Sequence, residues 1–187
     1  MKRCGWVTQD PLYQQYHDYE WGVPCNNEQK LFELLCLEGQ QAGLSWITVL
    51  KKRENYRRVF HQFDPARVAA MTPGDVDRLL LDSGIIRHRG KIEAIIANAR
   101  ALLAMRQQGE TFTTLIWSFV DNQPRINRPA ALADVPARTA TSDALSKALK
   151  KRGFKFIGST TCYAFMQAAG LVNDHVIDCG YQPERRA

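Results

Sequence analysis

The sequence predicts an all-α fold. Apolar residues recur at three- and four-residue spacing along most of the chain, and no convincing two-residue alternation is present. Helix caps and breakers separate the periodic stretches, and no internal repeat or low-complexity tract interrupts them. Asn26 or Asn27 opens a helix over 28–38, with Gln29 placed to complete a capping box from Asn26. A second helix is expected over 44–60, where Trp46, Val49 and Leu50 share a face. A short one over 76–81 closes at Gly84. Ile92, Ile95, Ile96, Ala99, Leu102 and Leu103 trace a longer amphipathic helix, and another is read over 112–120. Residues 123–141 carry Pro124, Pro129 and Pro136 with little periodicity, so they read as a loop or a linker between lobes. Ser142 then caps a helix with Leu145 and Leu149 on its apolar side, and the last helix runs over 159–169.

Composition bounds the class. With 187 residues, one folded unit over 1–187 is expected, large enough to bury a substantial core. A 45% hydrophobic and 24% charged content excludes wholesale disorder and a collagen-like fibre. No apolar run approaches the ~18 residues of a membrane span, so no membrane partner is expected. MKRCGWVTQD has no apolar stretch behind its basic residues and is not read as a secretory signal. Five scattered cysteines argue against a disulfide framework and for a reducing cytoplasm.

The net charge of +6 is less informative than its placement. Lys51, Lys52, Arg53, Arg57 and Arg58 form one cluster, Arg87, Arg89 and Lys91 a second, and Lys147, Lys150, Lys151, Arg152 and Lys155 a third. Each alone suits a solvated helix face; three together, each near a glycine or a helix end, point to a polyanion such as a phosphate backbone. The third cluster surrounds a defined geometry. Gly153 stops one helix and Gly158 precedes the next, whose free amides make an anion site that Ser159 or Thr160 can cap. The same spacing also describes an ordinary helix corner.

Glu38 interrupts an apolar stripe. Leu31, Leu34, Leu35 and Glu38 fall at i, i+3, i+4 and i+7, so the carboxyl must be paired, at an edge, or in a pocket. Gly39 and Gly43 flank Gln40, Gln41 and Ala42, and Trp46 follows. Trp6, Tyr13, Tyr16, Tyr19 and Trp21 crowd the N-terminal segment, as core or as stacking surfaces for a flat cationic ligand. Cys4, His17, His175 and Cys179 are chemically suited to a closed tetrahedral zinc site, although buried cysteines and satisfied histidines fit the spacing too. Cys36 and Cys162 read as core.

Cys4-Gly-Trp6, Tyr16-His-Asp18, Glu20-Trp-Gly-Val-Pro24, Leu37-Glu-Gly-Gln-Gln-Ala-Gly-Leu-Ser-Trp46 and Asn173-Asp-His175 resemble the bacterial 3-methyladenine DNA glycosylase I family, as does the block 142–170. The resemblance covers nearly the whole chain and departs mainly after Cys179. It implies a helix-hairpin-helix DNA glycosylase-like fold in which two helical lobes flank a base-binding cleft. It also implies a structural Zn2+ on Cys4, His17, His175 and Cys179, joining the N- and C-terminal segments. The implied activity is monofunctional release of 3-methyladenine from alkylated double-stranded DNA, by a monomer without an organic cofactor. The action is expected in the bacterial cytoplasm, at the nucleoid. Glu38 is the implied catalytic residue; Tyr16 shares its hydrogen bonding to the base, Trp46 stacks on it, and Trp6, Tyr13 and Trp21 line the pocket. DNA is expected over Lys151, Gly153, Gly158, Ser159 and Thr160, with Gly43 and Leu44 near the gap left by a flipped nucleotide.

Two departures from strand-cutting relatives bear on chemistry. Where those carry Gly-Arg-Lys-Thr, this chain has Gly158-Ser-Thr-Thr161, without the Schiff-base amine. Where they carry Val-Asp-Thr-His, Val172-Asn-Asp-His175 puts Asn173 at the acid's position and Asp174 one further along. The rival readings are a glycosylase for a different alkylated base and a non-enzymatic helix-hairpin-helix DNA-binding module. A zinc hydrolase is a third, disfavoured because four protein ligands leave no position for water.

Overall fold

The helices pack around one central member in the computed structural model, which describes residues 1–186. In chain order the α-helices are α1 (Pro11–Tyr19), α2 (Glu28–Gln40), α3 (Trp46–Val59), α4 (Pro65–Ala69), α5 (Pro73–Leu79), α6 (Arg89–Gln107), α7 (Phe112–Ser118), α8 (Ala140–Lys151) and α9 (Ser159–Ala168). Helix α2 is the centre: residues 31–40 are all buried, and it packs against α3, α6, α7 and α9. No described helix is long and apolar enough to cross a membrane.

The expected helices are present, with ends that differ for local reasons. Asn27 caps α2 by accepting from the Lys30 amide at 2.9 Å; the box from Asn26 does not form, because Gln29 donates instead to the Gln62 carbonyl. Helix α3 begins at Trp46 rather than residue 44, since Gly43 turns the chain at φ +79° and Ser45 is extended. Ser142 is not the cap of α8 but its third residue: Thr139 caps, and Ser142 Oγ accepts from the Thr139 amide in return. Likewise, Gly158 is the N-cap of α9, and no side chain caps that end. Ser159 turns back to Ser142 and Asp143, so it ties α9 to α8.

Helix α1 was not among the expected elements. Asp10, which caps it, and Pro11 at its start were visible signals, but PLYQQYHDY lacks an aliphatic stripe. The 123–141 segment is not wholly irregular either. It contributes β1 (Arg125–Ile126), which pairs in parallel with β2 (Val172–Asn173), an addition to the all-α expectation. The Asn127 amide extends that pairing to the Asn173 carbonyl at 3.0 Å.

The N-terminal segment closes onto the end of α9. The Gly22 amide donates to the Gln167 carbonyl and the Cys25 amide to the Ala169 carbonyl, both at 2.9 Å. Gly170 makes this approach possible: it has φ +75°, and a Cβ there would lie 2.4 Å from the Pro24 nitrogen. Gly170→Ala is therefore expected to destabilise the protein by roughly 2–4 kcal/mol, read from the urea midpoint at unchanged m-value.

Candidate active site and metal centre

The end of α2, the start of α3, the N-terminal aromatics and α9 enclose a cavity of about 340 Å³. Trp6, Tyr13, Tyr16, Trp21, Glu38 and Trp46 all line it. The rings are mutually braced: Trp6 lies 5.0 Å from both Tyr13 and Trp21, and Tyr16 lies 5.5 Å from Trp46. Tyr19 stands apart from this group, exposed. Leu132, Val135, Pro136 and Ala137 cover the cavity from the segment that carries β1.

Glu38 is a buried acid of this cavity. It is 4% exposed, and burial pushes its carboxyl up to about 8. A carboxyl poised near neutrality in an aromatic pocket is the kind of perturbation that accompanies function. Burial, and then the nearby Glu38 charge, also raises the Tyr16 and Tyr13 hydroxyls. The Trp46 indole N–H is buried with no hydrogen-bond partner among the described residues, a donor held out of water at the edge of the same space.

Helix α9 supplies the opposite wall through Thr160, Tyr163, Ala164 and Gln167, a small and polar stripe at helical spacing. That stripe was the overlooked signal. The pair at 173 and 174 is also resolved. Asn173 donates to Glu184 and Gln182 and accepts from the His175 amide, whereas Asp174 lines the cavity. Asp174 is 2% exposed and accepts from the Tyr163 hydroxyl at 2.5 Å, Asn127 at 2.7 Å and Gln167 at 3.0 Å.

Cys4, His17, His175 and Cys179 converge behind the aromatic wall, all buried, with their ligand atoms within 4.8 Å of one another. His175 Nδ1 is 3.3 Å from Cys179 Sγ and 3.7 Å from Cys4 Sγ, and Cys179 Sγ is 3.6 Å from His17 Nε2. Such edges suit a tetrahedron with metal–ligand bonds of about 2.0–2.3 Å. The outer nitrogens are engaged: His17 Nδ1 with Asp18 and His175 Nε2 with the Trp21 carbonyl, each at 2.8 Å. Arg3 holds Asp18 in turn. Burial pushes the Cys4 thiol up to about 12, so a cation is what would keep its sulfur as a thiolate. The cluster is a possible metal site.

The expected phosphate patches fare differently. In the first cluster Arg53 pairs with Glu20, Arg57 with Glu33 and Glu54, and Lys51 with Asp10, while Lys52 donates to the Ser83 carbonyl. In the second, Arg89 pairs with Asp77 and Glu93, and Lys91 is buried. Most of these cations are thus tied to neighbouring elements, while Arg58 and Arg87 are exposed. In the third, Arg152 pairs with Glu110, leaving Lys147, Lys150, Lys151 and Lys155 on the surface. Gly153 has the expected left-handed turn at φ +96°, and Thr160 lies both at the start of α9 and on the cavity wall. Leu44 projects from its loop, 41% exposed, next to Gly43.

The sequence profile described as Methyladenine glycosylase matches residues 6–182. The chain belongs to the methyladenine glycosylase family. It is 67% identical to DNA-3-methyladenine glycosylase 1 of Escherichia coli over 98% of both chains. A crystal structure of a 3-methyladenine DNA glycosylase I superposes with a TM-score of 0.96 at 68% identity, covering 97% of this chain and 100% of that one. The Staphylococcus aureus enzyme, solved for the structural basis of its 3-methyladenine recognition, matches at 43% identity and TM-score 0.94 over 98% and 97% of the two chains. Membership of the family and the helical architecture thus agree with the motif-level resemblance.

Burial of Glu38 has a thermodynamic consequence. Because its folded pKa lies above the unfolded value near 4.3, its contribution to stability is greatest in acid and is lost as pH rises through about 8. Glu38→Gln removes this penalty. Its unfolding free energy is expected to gain on that of the wild type between pH 5 and 8, by roughly 1.4 kcal/mol per pH unit, and to level off above, with the melting temperature following. A pH-independent difference in paired thermal melts would contradict the buried acid.

Proposed function

We propose that the protein releases 3-methyladenine from alkylated double-stranded DNA by hydrolysing the N-glycosidic bond, as a monomeric catalytic unit that leaves the strand intact. The observation that carries the proposal is a near-neutral buried acid, Glu38, in a cavity walled by Trp6, Tyr13, Tyr16, Trp21 and Trp46. Methylation at N3 places a positive charge on adenine. Such a base stacks favourably on aromatic faces and leaves as a neutral molecule, so its bond to C1′ is already weakened. The nucleotide must leave the duplex to reach an enclosed cavity, and unstacking is cheapest for a damaged base.

In this mechanism Trp46 stacks on the flipped base, Tyr16 and Glu38 hydrogen-bond its edge, and Trp6, Tyr13 and Trp21 close the remaining walls. A cationic base draws Glu38 towards its ionised form, which then accepts from the exocyclic amine. The breaking bond leaves its electron pair on the base and neutralises the ring. Water adds its oxygen to C1′ and releases a proton to solvent. No lysine occupies Gly158-Ser-Thr-Thr161, consistent with hydrolysis rather than strand cleavage through an imine.

DNA would approach along a helix-hairpin-helix element formed by α8 and α9. Gly153 and Gly158 admit the backbone, Lys151 supplies charge, and Ser159 and Thr160 lie at the helix start. Gly43 and Leu44 would occupy the gap in the duplex. Cys4, His17, His175 and Cys179 would hold Zn2+; four protein ligands make that role structural, a clasp between the two terminal segments. The setting is the bacterial cytoplasm.

Methylated duplex DNA under single-turnover conditions tests this reading. The wild type should liberate free 3-methyladenine from an intact strand, and Glu38→Gln should lose at least about 100-fold in that rate while remaining folded. Release of a different base, strand scission, or full activity in Glu38→Gln would overturn it. Cys4→Ser should lose bound zinc and melt roughly 10 °C lower. Unchanged metal content by elemental analysis would refute the clasp.

A further inference from the structure

A buried ammonium lies directly behind the catalytic helix. Lys91, in the first turn of α6, is 5% exposed, and its Nζ donates to the Gln40 carbonyl at 3.0 Å and the Ala42 carbonyl at 2.6 Å. These carbonyls belong to the end of α2 and the turn beyond it, where a helix leaves acceptors unmade and its dipole gathers negative charge. Gln40 answers in kind. Its Nε2 donates to the Lys91 carbonyl at 3.0 Å, and its Oε1 accepts from the Tyr56 hydroxyl at 3.1 Å. That hydroxyl oxygen accepts in turn from the Ile86 amide at 3.1 Å. One buried node therefore joins α2, α3, α6 and the turn before α6.

Burying a lysine is costly, and the direct partners of this one are carbonyl oxygens, so burial lowers its pKa. An exposed lysine could cap a helix end at less cost. What burial adds is definition of place. The tethered stretch has Glu38 just before it and Trp46 just after it, two walls of the cavity. Between them the chain turns at Gly43 with nothing within 4 Å of where its Cβ would lie, and Leu44 is exposed, so local packing there is sparse. In the same helical turn, a Cβ at Gly39 would lie 3.0 Å from the Phe156 carbonyl oxygen. The last turn of α2 is thus tethered by Lys91 and closely approached by the α8–α9 connection.

We infer that Lys91 is a positioning residue, whose bonds to the Gln40 and Ala42 carbonyls set the separation of Glu38 and Trp46. The inference rests on the base-release reading above. It does not give Lys91 contact with substrate; it acts through the backbone that carries two groups that do.

The test uses the full chain with Lys91→Met, which keeps length and removes the donors, and Lys91→Arg, which keeps them. Three quantities are read well below each variant's melting temperature: the single-turnover release rate, affinity for free 3-methyladenine by tryptophan quenching, and affinity for a duplex with an abasic-site analogue. Lys91→Met should slow release by about 30- to 100-fold and weaken free-base binding about tenfold, with duplex affinity within about threefold; Lys91→Arg should recover part of both losses. A folded Lys91→Met with release and base affinity within about threefold of wild type overturns the inference, leaving Lys91 a stabilising cap. If Lys91→Met does not fold, Tyr56→Phe removes the neighbouring bond to Gln40: a smaller loss in the same two quantities supports the node's positioning role, and none overturns it. A wild type that releases no methyladenine fails the base-release reading instead, so the two failures are distinct.

Discussion

The pocket depends on one constraint: a carboxyl placed where the apolar stripe of α2 would otherwise continue. Glu38 is on the buried face of the most enclosed helix, so the structure around it must supply a cavity rather than a packed interface. The aromatic rings serve this requirement better than aliphatic side chains would. They are rigid, braced edge to face, and can wall an empty volume without collapsing into it. The opposite wall, α9, comes from a distant part of the chain, and the backbone pairing of residues 22 and 25 with the end of α9 holds it against the rings. A pocket formed this way is pre-organised, its ordering cost met during folding rather than on binding.

Charge is distributed with a similar economy. A basic sequence invites the expectation of a broad positive surface, yet much of the arginine content is consumed internally. Arg53, Arg57, Arg89 and Arg152 all pair with carboxylates, mostly across elements rather than along one helix. The forked guanidinium geometry suits these bridging roles, as the two-point contacts of Arg57 with Glu33 and Arg152 with Glu110 illustrate. The cations left on the surface near the α8–α9 connection are lysines, which suit mobile contacts with phosphate.

Much of this was legible in the sequence. The apolar spacing of 92–103 and the caps at Asn27 and Gly153 identify their helices correctly, because the relevant physics is local. Glu38 announced itself by falling on the wrong face, and the four Cys and His residues by their chemistry. What escaped was non-local. Helix α1 lacks an aliphatic stripe because its partners are a metal-type cluster and other rings. The β1–β2 pair is two residues long and joins segments far apart in sequence. Whether Arg57 faces solvent or Glu33 depends on how two helices pack, which spacing along either helix does not encode. The difference between Asn173 and Asp174 depends on where β2 ends: Asn173 is its last residue and bonds Gln182 and Glu184, whereas Asp174, just beyond it, lines the cavity.

The clasp between the termini also has a meaning in time. Cys4 and His17 meet His175 and Cys179 across almost the full length of the chain, and Trp6, Tyr13 and Trp21 stand on the N-terminal side of that junction. The ribosome delivers these rings well before their supporting wall, α9 and β2. Closing so long a loop is entropically slow relative to forming the helices between. The aromatic surface therefore stays unfinished until α9 and β2 have been synthesised, and the cavity can close only after them.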